Sequence, residues 1–160
     1  MAHAHEAEMI EKGLPGAGNI ILYDNGLFTR DRAHTGQTFI VELEPTTQEI
    51  VWIYETAGYA NIKFFSKTMG TQQRLPNGNT LICEGTPGRS VEVTANKEVV
   101  WEYINPFFTH GQPQASGAPG EYINSLFRSH RYGPEFSAFK GRDLDPARYA
   151  NLNRLYAPAR

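Results

Sequence analysis

Cysteine is nearly missing: the 160 residues include one, Cys83. A lone thiol excludes an internal disulfide and any zinc site built on cysteines. Its place in the run Leu81-Ile82-Cys83 marks it as a small core residue. No apolar stretch approaches the roughly 20 residues of a membrane span. Charge imbalance is also lacking. A net charge of −2 gives no reason to expect nucleic acid or an anionic membrane as a partner. The start, Met1-Ala2-His3-Ala4-His5-Glu6, lacks the basic-then-apolar pattern of a secretory signal. His3 and His5 there read either as part of a solvated end or as remains of a metal site.

Turn formers are plentiful. With 15 Gly, 10 Pro and 12% aromatics, the composition fits many short strands joined by turns. Apolar residues at 40% and charged residues at 20% suit a globular chain with a real core. The stretch from Gln73 to Gly85 organises the rest. Leu75 and Leu81-Ile82-Cys83 flank Pro76-Asn77-Gly78-Asn79, which reads as strand, tight turn, strand. Asn77 and Gly78 tolerate the positive φ that a two-residue hairpin loop requires. Gly88 to Val93 and Val99 to Tyr103 continue the pattern, giving four strands in sequence.

An earlier segment answers to this one. Asn19 to Tyr23 reads as a buried strand stopped by Asp24-Asn25-Gly26. Thr38 to Glu44 and Glu49 to Tyr54 are further strands, and the charged stretch 27–37 reads as a surface loop. Gly18-Asn19-Ile20-Ile21-Leu22 matches Gly78-Asn79-Thr80-Leu81-Ile82, and Val41-Glu42-Leu43 matches Val91-Glu92-Val93. Glu49-Ile50-Val51-Trp52-Ile53-Tyr54 matches Glu98-Val99-Val100-Trp101-Glu102-Tyr103. A repeat of about 40–50 residues, with four strands and a Trp in the last, is the signature of propeller blades. Each blade leaves faces uncovered and must stack on a neighbour, so Trp52 and Trp101 read as inter-blade core.

The expected fold is therefore all-β, within a single partial propeller domain over 1–160. Blades are expected over 5–55 and 60–105, a loop over 106–120, and part of a third blade with a tail over 121–160. Tyr122 to Tyr132 reads as that blade's first strand, and Ala147 to Tyr156 as a short helix or ordered tail. A closed propeller needs at least about four blades. The chain is thus expected either to be a piece of a longer protein or to close its ring through other chains.

GLPGAGNIILYDNG, EIVWIYE, QRLPNGNTLICEG, GRSVEV, VVWEYINPF and LFRSHRYGPEFSAFKGRDL, in that order, resemble the C-terminal half of arylsulfotransferase-family β-propellers. The resemblance runs from about His5 to Asp145. It implies transfer of a sulfuryl group between phenolic compounds through a channel histidine, with aryl sulfates or phenols as small-molecule partners. It implies no cofactor and no metal, and it suggests a periplasmic or extracellular setting. His5 matches the first histidine of the family's Gln-His-Asp/Asn-Ala-His segment. Glu8 stands where the second would be, and a carboxylate there repels an anion. The alternative is a non-catalytic propeller module used for binding or assembly.

The chemistry fits these residue types. A neutral imidazole is a competent nucleophile near neutral pH. Arg offers planar paired donors to sulfuryl oxygens. In a propeller the innermost strand of each blade lines the channel, which points to His5 and Glu8, then Gln72, Gln73 and Arg74, then Asn124, Arg128, His130 and Arg131. Arg89 reaches inward from a loop end. Of these, His5 is the expected catalytic residue, and Arg74, Arg89, Asn124 and Arg128 are the expected substrate-binding residues.

Overall fold

The computed structural model describes residues 4–26, 36–55, 64–110 and 122–149. Strands β1 (Ala4–Met9), β2 (Ile20–Asp24), β3 (Phe39–Glu44) and β4 (Glu49–Tyr54) form a four-stranded antiparallel sheet in chain order. Strands β5 (Thr71–Arg74), β6 (Thr80–Glu84), β7 (Arg89–Val93) and β8 (Val99–Ile104) form a second sheet with the same order. A short ladder pairs β9 (Thr109–His110) with β10 (Tyr122–Ile123). The described residues are thus all-β with two blade-like sheets, and their only helices are 3-10 turns at Ser137–Phe139 and Pro146–Tyr149. Of the expected loops over 27–37 and 106–120, residues 27–35 and 111–120 lie outside the described residues, as does the tail beyond Tyr149.

The two sheets agree in detail. Trp52 pairs with Glu42 across β4 and β3, and Trp101 pairs with Glu92 across β8 and β7. Each ladder then slips register at the next step, between Glu42 and Leu43 and between Glu92 and Val93. Asn19 Nδ2 donates to Glu42 Oε1 at 2.7 Å, and Asn79 Nδ2 donates to Glu92 Oε1 at 2.6 Å. The turn between β5 and β6 differs from expectation. Leu75 N bonds Asn79 O, Gly78 N bonds Leu75 O, and Gly78 alone takes positive φ, at 86°. Pro76-Asn77-Gly78 is therefore a three-residue loop: a turn seeded by proline and closed by a left-handed glycine.

The core draws on both sheets. Ile10, Ile21, Tyr23, Ile40, Tyr54 and Phe64 cluster with Ile82, Val91 and Val93. Gly70 makes the seating close, because a Cβ there would lie 2.3 Å from the Tyr23 ring. Trp52 packs against this core, and its indole N–H donates to Ala95 O of the second sheet at 2.9 Å. Arg74 of β5 reaches Glu42 of β3 at 2.5 Å and stands over the Trp52 ring at 5.6 Å. Cys83 is buried, as its apolar run implies.

Two expectations change. Trp101 is 42% exposed, because no third four-stranded sheet lies beyond the second among the described residues. Tyr122 to Tyr132 is a strand only at Tyr122–Ile123. Its polar groups bind loop atoms instead of a ladder. Asn124 and Asn105 each donate an amide to the other's carbonyl, at 3.0 and 2.8 Å. Leu126 N bonds Gly85 O, and Ser129 N bonds Thr71 Oγ1.

Residues 1–130 and 131–160 are separate compact units. Within the second, Tyr132 and Phe136 lie 4.3 Å apart and Phe139 meets Phe136 edge-on.

The Arg74–Glu42 pair is the point where the sheets are most exposed to mutation. Both side chains are over 90% buried, at 9% and 6% exposure. Removing one partner from such a pair leaves the other charge uncompensated, at a cost of about 3–5 kcal/mol. Urea unfolding of Arg74→Ala should therefore show stability lower by roughly that amount. The double variant Arg74→Met, Glu42→Leu should recover most of the loss.

Candidate functional site

Several candidate residues gather at β1, which among the described residues pairs in a ladder with β2 alone. The β1–β2 register slips between Ala4 and Glu6, which leaves His5 as the extra residue of a bulge. His5 is exposed, and its Nδ1 lies 3.1 Å from Asn25 Oδ1. Asn25 follows β2 directly and is fully buried. Its Nδ2 donates to Ser66 O at 2.7 Å and to Met69 O at 3.0 Å. Ser66 is itself fixed, since its N bonds Thr38 Oγ1 and its hydroxyl bonds Thr68 O.

Glu6 and Glu8 lie two residues apart on β1 and so share a face. Arg128 reaches Glu6 Oε1 at 3.2 Å, with the guanidinium half exposed. The other oxygen, Glu6 Oε2, is buried with no hydrogen-bond partner among the described residues. Burial, followed by the charges of Glu6 and Glu11, pushes the Glu8 carboxyl above its ordinary range, and Arg128 offsets only part of this.

The expected site residues fall into two groups. His5 and Arg128 both come to β1, together with Glu6 and Glu8. Arg74 lies between the sheets, held by Glu42 and by Gly78 O. Arg89 begins β7 and spans Glu84 of β6 at 3.0 Å and Glu102 of β8 at 2.5 Å. Asn124 is tied to Asn105. Gln72 is fully buried, its amide donating weakly to Ile21 O at 3.4 Å. Gln73 and His130 are half-buried, and Arg131 is exposed in the second unit. Every expected arginine of the binding set thus has a carboxylate partner. Sequence reasoning missed Asn25, taken only as part of a strand stop. It also missed Glu6, Glu42 and Glu84, whose partners lie 122, 32 and 5 residues away. Only Arg89, five residues after Glu84, gave a local signal.

Glu8 yields a pH prediction. Its raised pKa means that the folded chain holds this proton more tightly than the unfolded chain does. Its contribution is therefore fully present below the ordinary value of 4.5 and is lost as pH rises through the folded value. Glu8→Gln removes that loss. Its Tm should exceed wild type at pH 7, and the gain should vanish at about pH 4 in calorimetry.

No helix among the described residues is long and apolar enough to cross a membrane. A family model described as arylsulfotransferase (ASST) matches residues 2–106. No curated protein and no solved structure matches the chain. The matched span takes in β1, the whole of both sheets and the link between them, which is where His5, Asn25 and Arg74 lie. By that match over most of its length, the chain belongs to the arylsulfotransferase family.

Proposed function

We infer that this chain contributes the sulfuryl-transfer centre of an arylsulfotransferase-like propeller, with His5 as the nucleophile. The observation that carries this reading is the anchored ring: an exposed histidine on an edge strand, with Nδ1 held by a buried amide. With Nδ1 engaged by the amide, Nε2 is the attacking atom in this reading. The Nε2 lone pair attacks the sulfur of an aryl sulfate. An N–S bond forms, the aryl O–S bond breaks, and the phenolate leaves and takes a proton from water. In the return step a phenol oxygen attacks the same sulfur. The N–S bond breaks, its electron pair returns to Nε2, and the phenol proton passes to solvent. Arg128 is the cation beside this strand and binds sulfuryl oxygens, whereas Arg74, Arg89 and Asn124 are held instead by Glu42, by Glu84 and Glu102, and by Asn105.

A second reading, a non-catalytic binding or assembly module, draws on two observations. Glu6 occupies Arg128, and Glu8 adds a carboxylate on the same face. The outer strand β8 also leaves Val99, Val100, Trp101, Tyr103 and Ile104 exposed over its two faces, apolar surface suited to another sheet.

Kinetics with an aryl sulfate donor and a phenol acceptor separate the two readings. Under the first, His5→Ala abolishes transfer and Arg128→Ala lowers kcat/KM by about 30- to 1000-fold. Glu6→Gln releases the guanidinium from a partly exposed pair and should lower KM by about two- to fivefold. Wild type with no transfer to any phenol, together with association into larger species by light scattering, supports the module instead.

A further inference from the structure

We propose that Asn25 is a positioning residue that fixes the tautomer of His5, and that the Ser66–Met69 segment of the chain sets it. This rests on the reading of His5 as nucleophile for its consequence, but not for its geometry.

An asparagine amide is asymmetric, with two donors on one side and an acceptor on the other. Both Nδ2 hydrogens of Asn25 are committed, one to Ser66 O at 2.7 Å and one to Met69 O at 3.0 Å. Turning the amide over would set Oδ1 against two carbonyl oxygens inside a fully buried site, where leaving donors and acceptors unmatched is costly. Oδ1 must therefore face the ring. An oxygen acceptor 3.1 Å from Nδ1 demands a proton on that nitrogen. In the neutral ring Nδ1 is then the donor, and Nε2 carries the lone pair.

The carbonyls that orient the amide lie 41 and 44 residues beyond it, in the segment that leads into β5. Seating the second sheet on the first therefore selects the reactive nitrogen on the first sheet's edge. The same hydrogen bond acts after attack. With Nε2 sulfurylated and Nδ1–H still held, the ring stays cationic and leaves readily as neutral imidazole when an acceptor attacks.

The test is a ¹⁵N spectrum of the ring nitrogens in the intact chain, above the pH at which the imidazole is neutral. The His5 signals are assigned by their loss in His5→Gln. The expected pattern is a protonated Nδ1 and an unprotonated Nε2 in wild type, and signals averaged between the two tautomers in Asn25→Ala. In the transfer assay, Asn25→Ala should lower kcat by about tenfold with KM unchanged. A reversed or averaged wild-type pattern overturns the proposal, as does an Asn25→Ala spectrum identical to wild type. If Asn25→Ala does not fold, the wild-type spectrum alone decides. A wild type that shows the expected tautomer but transfers no sulfuryl group sinks the enzymatic reading and leaves the tautomer assignment standing.

Discussion

A buried amide can satisfy its donors and its acceptor in only one orientation, and the structure around Asn25 depends on that constraint. Its donors hold the entry to the second sheet, and its acceptor holds the exposed histidine of the first. Gly70 and Tyr23 set the same joint by shape, since any side chain at Gly70 would strike the ring. Arg74, Glu42 and Trp52 set it again by charge and by an indole stacked under a guanidinium. A disturbance of the Ser66–Met69 segment reaches His5 through Asn25, whose amide bonds both.

Electrostatics around β1 are balanced closely. Arg128 meets Glu6, and Glu8 resists ionisation beside them. On the sulfuryl-transfer reading, an incoming sulfate ester would compete with Glu6 for the Arg128 guanidinium, exchanging one anion for another. The same balance would serve a surface that only holds a neighbouring sheet, and chemistry at His5 is what distinguishes the two.

Much of the fold was legible in the sequence. Period-two apolar runs and turn residues gave the strands, and the parallel between Trp52 and Trp101 gave two sheets of one plan. The hairpin at Pro76 was misjudged by one loop residue, because Asn77 tolerates positive φ without needing to adopt it. The segment after Ile123 looked like a strand by alternation. Asn124 is tied to Asn105, Ser129 N bonds Thr71 Oγ1 and the Ser129 hydroxyl meets Ser90 Oγ, so these groups are committed to distant parts of the chain instead of a ladder. Trp101 looked like its twin but lacks the covering sheet that Trp52 has. The site was legible in residue type and not in pairing. Histidine and arginine announce anion chemistry, but which carboxylate each arginine meets is decided by partners distant in sequence, as with Glu42 for Arg74 and Glu6 for Arg128. Asn25 was hidden for a similar reason, because an Asp-Asn-Gly run signals a turn whatever its amide later binds.

A nucleophilic His5 made ready by its anchor would carry the sulfuryl group between donor and acceptor. The most direct measurement is mass spectrometry of the intact chain and its peptides, quenched at alkaline pH during exposure to an aryl sulfate without acceptor. The expected result is an acid-labile sulfuryl adduct on the peptide that contains His5, discharged when a phenol is added. No adduct, or one carried by a different residue, would contradict it.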